Sequence, residues 1–365
     1  MDLRATIAAA LELPGWRALL AGCGPDTPLG ALPVLRKANL PAMQAAAPPF
    51  AALAGPAAGF ARLFASPGPI FEGVPDRPDP WRFAPAFRAA GVGPGDVVLN
   101  CLSYHLTPGG FILDGGARAA GAAVIPAGPG NTAALVEVMR AYRPTAYAGT
   151  PDFLKILLEA AGEDGRSITK AVVTAAAFPP SLREWVAGRG VRAIEAYGTA
   201  ELGLVAHGTA DGAPGMAIAP GIILEILRPG TNEALPEGEV GEVAVTVPDP
   251  AHPLLRFSPG DMSRLLPGGR MGGWLGRADQ TCKVKGLFVR PEQVAAILRR
   301  HPEAGRLRLV VTRAEEQDAM ELLAEGGDAA ALEAALREET RLRGTVRVVP
   351  AGSLPRDGVV IGDMR

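Results

Sequence analysis

The sequence predicts an α/β protein, because strand-like apolar runs alternate with helical segments along much of the chain. This alternation runs from about residue 94 to 188, turn-separated strands follow from about 215 to 266, and a second strand–helix series begins after 279. We therefore predict a large N-terminal domain over residues 1–279, with mostly parallel sheets flanked by helices plus an antiparallel subdomain. A small C-terminal α/β sandwich domain is predicted over residues 280–365.

The parallel part of the fold is predicted from short apolar runs that are each followed by a helical segment. Residues 1–60 precede it and are predicted to form short helices separated by Pro and Gly. Asn131 or Thr132 is expected to cap one of the later helices. In chain order the predicted elements are strand 96–100, helix 109–120, strand 122–126, helix 132–142, strand 146–149, helix 152–161, strand 171–174 and helix 181–188.

The rest of the chain predicts two further structural units. Apolar runs at 221–227 and 242–247, separated by turns, predict the antiparallel subdomain. After residue 279 the pattern predicts a βαβαβ order, and Pro291 suits the first position of a helix because an N–H is not needed there. The predicted elements of this small domain are strand 283–289, helix 291–298, strand 307–312, helix 328–342 and strand 345–349.

Composition excludes several classes of protein. The chain has 365 residues, of which 48% are hydrophobic and 20% charged, and its formal net charge is −2. A balanced charge gives no field that favours nucleic acid or an anionic membrane, so neither is expected as a partner. The three cysteines form no CxxC pair and the four histidines form no HxxxH pair. A structural zinc site is therefore not expected, and free thiols favour a reducing compartment.

The chain carries no pattern that predicts secretion or membrane insertion. Asp2 follows Met1 directly, without the apolar run of a signal peptide. The apolar stretch from Pro48 to Phe64 is interrupted by Pro and Gly, which makes it a poor candidate for a membrane span. We expect a cytoplasmic protein.

Three short strings stand in an informative order. They are residues 195–201 (EAYGTAE), 255–261 (LRFSPGD) and 276–286 (GRADQTCKVKG). Each one alone also fits an ordinary turn or a charged loop. In this order and at these separations they resemble the core motifs of the adenylate-forming superfamily, and most of all those of the phenylacetate–CoA ligase family. The likeness extends from about residue 4 to the C-terminus.

The resemblance implies an acid–thiol ligase. In that reaction a carboxylic acid and ATP give an acyl-adenylate and pyrophosphate, and CoA then displaces AMP to form the thioester. The implied cofactors and substrates are ATP or AMP, CoA, Mg²⁺ and a small acid, most simply an aryl acid. A homodimer is left open as the assembly.

The same resemblance assigns roles to residues of the three strings. Tyr197, with Gly198 and Thr199 in its turn, would lie against adenine, and Glu201 would hold Mg²⁺ and phosphate, as a hard oxygen ligand can. The carboxylate of Asp261 would accept hydrogen bonds from the ribose. The remaining implied residues are Arg277 at the nucleotide, Asp279 as the hinge between domains and Lys283 as a side chain that assists thioester formation.

The segment in the place of the family's phosphate loop departs from the family pattern. Residues 65–73 read ASPGPIFEG, so Ser66 and Gly68 survive while two prolines lack the N–H that a phosphate needs. Glu72 stands where the family has a lysine. One unit charge about 4 Å away is worth roughly 4 kcal/mol at an effective dielectric constant of 20. We therefore expect weak binding of a triphosphate.

Three more positions depart from the family. Ala200 lacks the hydroxyl of the family's Ser or Thr, Ala176 replaces a Glu near the nucleotide, and Val359 replaces the lysine that stabilises the α-phosphate during adenylation. Two hypotheses follow. The chain is an acyl- or aryl-CoA ligase-like protein, or it is a catalytically impaired relative that binds AMP, an acyl-adenylate or an acyl-CoA as a sensor or partner subunit. A third option, a half-enzyme that uses a preformed adenylate, is also open.

A last segment matches the family's acyl pocket. Tyr104, His105, Gly109 and Gly110 lie ahead of or within a Gly-rich helix, where small residues allow close approach of a flat ring or of CoA. Close packing of this helix against the sheet explains the glycines equally well.

Overall fold

The computed structural model describes residues 2–66, 69–176, 178–280, 282–284, 287–314, 317–355 and 359–364. The chain forms two compact units. The first comprises Met1–Glu239, Val243–Pro259 and Arg264–Gly273. The second comprises Val240–Glu242, Gly260–Ser263 and Trp274–Arg365. The predicted domain boundary between residues 279 and 280 stays a prediction.

The α-helices of the described chain are short and mostly begin at or next to a proline or a small residue. They are α1 (Leu3–Glu12), α2 (Pro14–Leu19), α3 (Leu40–Ala46), α4 (Ala84–Ala90), α5 (Gly109–Ala119), α6 (Thr132–Tyr142), α7 (Pro151–Ala161), α8 (Pro180–Ala187), α9 (Pro291–Arg300) and α10 (Ala329–Thr340). No helix of the described residues combines the length and the apolar character needed to cross a membrane.

The first ten strands all lie in the first unit. They are β1 (Leu35–Arg36), β2 (Arg62–Ser66), β3 (Ile70–Val74), β4 (Val97–Asn100), β5 (Ala123–Pro126), β6 (Ala146–Gly149), β7 (Lys170–Val173), β8 (Arg192–Thr199), β9 (Gly203–His207) and β10 (Ala217–Ile218). The later strands are β11 (Ile223–Leu227), β12 (Gly241–Val247), β13 (Leu254–Ser258), β14 (Met262–Ser263), β15 (Leu265–Leu266), β16 (Arg270–Met271), β17 (Cys282–Val284), β18 (Leu287–Val289), β19 (Leu307–Ala314), β20 (Gln317–Ala324), β21 (Thr345–Val348) and β22 (Ile361–Asp363).

The predicted α/β fold class is confirmed. A seven-stranded sheet has the order β10-β9-β8-β7-β6-β4-β5. The strands from β5 to β8 run parallel, and β8, β9 and β10 form antiparallel pairs. Helices connect the parallel strands, because a parallel pair needs a long crossover. The apolar runs of β4, β6 and β7 are almost wholly buried, as expected for strands covered on both faces.

The antiparallel subdomain is also present. Its strands have the order β1-β13-β12-β11, with β14 paired to the start of β12. Arg256 on β13 lies at its centre with no exposed surface. Its guanidinium donates to both carboxylate oxygens of Glu225, at 3.0 Å each, and to the carbonyl of Leu32 at 2.6 Å. This network connects the N-terminal segment to the sheet.

The second unit has a sheet with the order β21-β20-β19-β22, and α9 and α10 pack against each other. The sequence missed β20 and predicted that a helix follows β19 after a loop. Instead β19 and β20 form a regular antiparallel hairpin in which Leu307 opposes Ala324 and Arg313 opposes Asp318. The unit is therefore a mixed sheet with two helices rather than a simple βαβαβ series.

Candidate active site

Strands β2 and β3 form a hairpin that contains the segment predicted to correspond to the phosphate loop. Phe64 pairs with Glu72 and Ser66 with Ile70 across the two strands, so Glu72 and Ser66 point to the same face. The Ser66 hydroxyl donates to Glu72 Oε2 at 3.1 Å. Gly68, a predicted nucleotide contact, lies outside the described residues. Ser66 is buried, and its hydroxyl is bound to the carboxyl group of Glu72 on the partner strand of the hairpin.

The side-chain amide of Gln44 fixes the position of the hairpin. Its Nε2 donates to the Phe71 carbonyl at 2.8 Å, and its Oε1 accepts from the Phe71 N–H at 2.9 Å. The Ala65 N–H donates to the Leu106 carbonyl at 3.0 Å. Backbone groups on both strands thus form hydrogen bonds with other parts of the first unit, and these bonds hold the hairpin in place.

The turn between β8 and β9 presents the predicted adenine and metal residues. Gly203 has φ +67°, and a Cβ there would lie 2.3 Å from the Trp81 carbonyl oxygen, so the position requires glycine. Trp81 Nε1 donates to the Ala200 carbonyl at 2.8 Å, and Thr199 Oγ1 accepts from the Leu202 N–H at 3.1 Å. Thr199 therefore shapes the turn.

Tyr197 and Gly198 stand at the end of β8. Tyr197 opposes Ala206, is partly buried and packs against the main core. A Cβ on Gly198 would lie 2.5 Å from the Gly203 carbonyl oxygen, which explains why the backbones can pair so closely here. The contact of Tyr197 with adenine stays a prediction.

Glu201 meets a cation and a second carboxylate. Lys37 Nζ lies 2.7 Å from Glu201 Oε1, and the Glu201 side chain is only 7% exposed. The negative charge of Glu201 also acts on the carboxyl group of Glu72. We call Lys37, Glu72 and Glu201 the carboxyl cluster. It places three charged groups of the first unit at the phosphate end of the predicted site.

The carboxyl cluster changes the acidity of Glu72. Burial raises its pKa to about 8, and the negative charge of Glu201 acts in the same direction. Lys37 and the Ser66 hydroxyl lower the pKa, but less strongly. The Glu72 carboxyl group therefore holds its proton at neutral pH.

Two of the residues predicted to line an acyl pocket, Tyr104 and Gly110, contact each other. Tyr104 Oη accepts from Asn100 Nδ2 at 2.7 Å and donates to Asp114 Oδ2 at 3.2 Å. A Cβ on Gly110 would lie 2.6 Å from the Tyr104 ring, so the glycine makes room for that ring. Gly109 has looser contacts, the nearest at 3.6 Å. The structure brings these three residues together, while His105 is exposed.

Asp261 belongs to the second unit, where its carboxylate is buried. Its Oδ1 accepts from Trp274 Nε1 at 3.0 Å and from Arg277 Nη1 at 3.3 Å. Gly260 has φ +83°, and a Cβ there would approach the Arg277 guanidinium to 3.0 Å. Arg277 therefore positions Asp261 through an ion pair. Whether either residue contacts a nucleotide stays a prediction.

The predicted hinge and the C-terminal segment meet in the second unit. Asp279 lies in a short 3₁₀ helix, Ala278–Gln280, and Lys283 on β17 opposes Phe288. Gln280 Oε1 accepts from the Val360 N–H at 2.6 Å. Val359, at the position predicted to correspond to the family's adenylation lysine, is thus the residue before Val360, whose N–H binds Gln280 next to the predicted hinge residue Asp279. The side chains of Asp279 and Lys283 are not described.

A cavity of about 130 Å³ lies in the first unit. Apolar and aromatic groups form most of its wall, and Glu72 and Glu201 lie at its lining. The residues predicted to form the acyl pocket do not line it. Its principal lining residues from the N-terminal segment are Trp16, Leu35, Leu40, Gln44, Phe50 and Leu53.

Sequence reasoning missed the residues that the N-terminal segment contributes. Lys37, Gln44 and Trp16 come from a stretch in which no catalytic pattern was visible. One weak signal was present, because Lys37 is one of only five lysines among 36 basic residues. Its ion pair spans more than 160 positions of sequence, and such a contact cannot be found by spacing alone.

Comparison with known proteins agrees with the predicted family. The AMP-binding enzyme family matches residues 81–251. A phenylacetate–coenzyme A ligase of Thermus thermophilus is 34% identical over 261 residues, covering 66% of this chain and 59% of that protein. A phenylacetate–coenzyme A ligase of Escherichia coli K12 is 30% identical over 271 residues, covering 67% and 62%. The chain thus spans about three fifths of the length of these curated relatives.

Solved structures show the same fold. An open conformation of 2-hydroxyisobutyryl-CoA ligase, in complex with 2-HIB-AMP and CoA, aligns with a TM-score of 0.77 and 22% identity, covering 99% of this chain and 89% of that one. ATP-bound MatB from Rhodopseudomonas palustris aligns with a TM-score of 0.63 and 20% identity, covering 84% and 67%. The fold and the matched family define an adenylate-forming protein. Within that superfamily the chain belongs to the phenylacetate–CoA ligase-like family.

Proposed function

We propose that this protein is an acyl- or aryl-CoA ligase-like protein that binds AMP or an acyl-adenylate, and whose ATP-dependent adenylation is impaired. The observation that carries the proposal is the carboxyl cluster at the phosphate end of the site. Lys37 lies 2.7 Å from Glu201, and Glu72 stands in place of a lysine. The groups that would attract a triphosphate are replaced by a carboxyl group and by a cation that already has a partner.

The reaction that the family implies has two steps. The acid attacks the α-phosphate of ATP, which forms the acyl-adenylate and releases pyrophosphate. The sulfur of CoA then attacks the acyl carbon and AMP leaves. In our proposal Tyr197 contacts adenine and Asp261 accepts hydrogen bonds from the ribose hydroxyls. Asp279 and Lys283 act in the second step, which does not require a bound triphosphate.

The carboxyl cluster does not fit Mg²⁺. This ion prefers six oxygen ligands and keeps several waters, and it is held by carboxylates together with substrate phosphates. Glu201 Oε1 already has an ammonium at 2.7 Å, so the ion would have to lie beside a cation or displace it. A second carboxylate is close, but Glu72 retains its proton at neutral pH. We therefore assign Mg²⁺ no step in the reaction.

The second unit supports the same proposal. Adenylation builds negative charge at the α-phosphate, and preorganised cations that meet this charge supply a large part of catalysis. At residue 359 this chain has valine. The next residue, Val360, donates a hydrogen bond from its N–H to Oε1 of Gln280, which holds the backbone at this point. An apolar side chain at this position cannot neutralise the developing charge.

A second candidate function is a complete ATP-dependent ligase. It is favoured by the order of Tyr197, Asp261, Asp279 and Lys283 and by the match to the AMP-binding enzyme family over residues 81–251. In this case the acid, ATP and CoA are all substrates, and a cation other than the residue at 359 neutralises the α-phosphate.

Calorimetry with AMP, ATP and ATP plus MgCl₂ separates the two candidates. We expect AMP to bind more tightly than ATP, and MgCl₂ to improve ATP binding little. Above about pH 8, where Glu72 ionises, the Glu72→Gln variant should bind ATP more tightly than the wild type, because it cannot ionise and repel the phosphates, whereas at pH 7 the two should bind ATP alike. Glu233→Gln, on the surface of the same unit, is the matched control. ATP–Mg²⁺ binding more tightly than AMP in the wild type would contradict the proposal.

A further inference from the structure

The cavity beneath the β2–β3 hairpin is distinct from the predicted adenosine and acyl contacts. Tyr197, Tyr104 and Gly110 do not line it. Its volume of about 130 Å³ is close to that of an engineered apolar cavity of about 150 Å³ that binds benzene. Aromatic rings line it from several elements: Trp16, Phe50, Phe71, Trp81 and Phe257. The cavity has the size and walls for one six-carbon ring.

At neutral pH the charges of the carboxyl cluster balance only because Glu72 keeps its proton. Two carboxyl groups, Glu72 and Glu201, share one ammonium, that of Lys37. Glu72 Oε1 and Glu201 Oε2 are buried and accept no hydrogen bond from the donors of the described chain. If Glu72 loses this proton as a cation binds, the cluster has one negative charge in excess, which that cation balances.

The other cations of the cavity wall do not supply the missing charge. Arg77 forms an ion pair with Asp249 at 2.6 Å. Arg82 is held by its bond to the Leu202 carbonyl and lies in the fields of Asp79 and Asp249. Arg77 thus has an acidic partner of its own, and Arg82 is bound to a carbonyl, although its Nε has no acceptor among the described residues. The negative charge that appears when Glu72 ionises therefore stays at Glu72 and Glu201.

We propose that this cavity is a ligand site for a small primary ammonium ion with an apolar body, held by Glu72 and Glu201. An ammonium group has three N–H donors, enough for the two open carboxylate oxygens. Its apolar body contacts the aromatic wall, and a cation beside aromatic faces gains further attraction. The proposal goes beyond the acyl-CoA ligase-like function and does not depend on it.

The charge count favours a monovalent ligand over a metal ion. One positive charge balances the ionised cluster, whereas a divalent ion leaves one positive charge in excess in a half-buried site. Within the described residues no group of three or more His, Cys, Asp or Glu side chains is arranged to hold a metal.

Calorimetry with benzylammonium, benzyl alcohol and benzoate tests the site. These probes share one ring and differ in charge. We expect benzylammonium to bind at least about tenfold more tightly than benzyl alcohol, and benzoate not to bind. Glu72→Gln should weaken benzylammonium roughly 10- to 100-fold, the usual range for loss of a charge-assisted hydrogen bond. Benzyl alcohol binding should change little.

Two further variants locate the binding. Ala54→Phe enlarges a side chain in the cavity wall and should weaken both benzylammonium and benzyl alcohol. Glu233→Gln removes a carboxylate from the surface of the same unit and should leave both unchanged. Thermal unfolding by circular dichroism verifies that each variant is folded.

Three results would overturn the proposal. They are equal binding of benzylammonium and benzyl alcohol, an undiminished affinity in Glu72→Gln, and displacement of benzylammonium by millimolar MgCl₂ with tight binding of the metal alone. The last result would assign the cluster to a divalent ion. None of them depends on AMP or ATP binding, so failure here is separate from failure of the proposed function.

Discussion

Two buried clusters of charge in the first unit are built differently. Arg256 has no exposed surface, and its donors meet both oxygens of Glu225 and the carbonyls of Gly30, Leu32 and Asn232. In the carboxyl cluster, by contrast, the ammonium of Lys37 pairs with Glu201, while Glu72 and Glu201 retain oxygens that accept no hydrogen bond from described donors. The first cluster is saturated with partners and the second is not.

This difference separates a structural role from a functional one. Buried charge is tolerated when every donor and acceptor has a partner, as around Arg256. A buried cluster that lacks partners costs free energy, and such groups concentrate at sites that bind something. The contrast explains why Arg256, although it stands in a conspicuous motif, connects parts of the fold, while Glu72 and Glu201 lie at a candidate site.

Replacing Arg256 tests the saturated cluster and should have the largest effect. We expect Arg256→Met to lower the free energy of unfolding by about 3–5 kcal/mol, because it leaves Glu225 and three carbonyls without their donor. Denaturant unfolding monitored by circular dichroism measures the change. Arg228→Met is the control, since its ion pair with Glu233 is on the surface and is worth ~0–1 kcal/mol. Equal effects of the two substitutions would contradict the assigned roles.

The fold was largely predictable from local sequence pattern. Helix α6 extends over Thr132–Tyr142 as predicted, because an apolar face at helical spacing is a local property. Strand β20 was missed because Gln317–Ala324 contains Glu, Leu, Met and Ala, residues that favour helices. Its pairing with β19 over eight positions determines the strand, and that tertiary contact is not visible in the local pattern.

The candidate site was predictable only in part. The departure at Glu72 was visible, since the residue type can be read directly against the family pattern. Its environment was not, because Lys37, Ser66 and Glu201 approach it from separate segments of the chain. The acyl pocket at Tyr104, His105, Gly109 and Gly110 stays a prediction. The close approach of the Tyr104 ring to Gly110 could not be predicted, because it is a contact between side chain and backbone that no local pattern shows.

The pH dependence of stability tests the unsaturated cluster, with a smaller effect. The pKa of Glu72 is raised from 4.5 in the unfolded chain to about 8 in the folded protein. The folded state therefore binds the extra proton between these values, so this contribution to stability is present below about pH 4.5 and is lost as the pH rises towards 8. The slope is at most about 1.4 kcal/mol per pH unit.

The Glu72→Gln variant isolates this contribution, because it keeps the shape and the hydrogen bonds but cannot ionise. We expect the free energy of unfolding of the wild type to fall relative to the variant between pH 5 and pH 8, as measured by denaturant titration at each pH. Parallel pH profiles for the two proteins would show that Glu72 ionises normally. The carboxyl cluster would then be an ordinary exposed ion pair.

The most direct test of the central claim, that the phosphate end is not built for adenylation, is acid-dependent exchange of labelled pyrophosphate into ATP. A panel of aryl and short acyl acids covers the acid that the sequence does not identify. Loss of one preorganised stabilising group costs ~10²–10³ in rate. We therefore predict undetectable or very slow exchange in the wild type and faster exchange in the double variant Glu72→Lys, Val359→Lys. Robust exchange by the unmodified protein would contradict the claim and identify a complete ATP-dependent ligase.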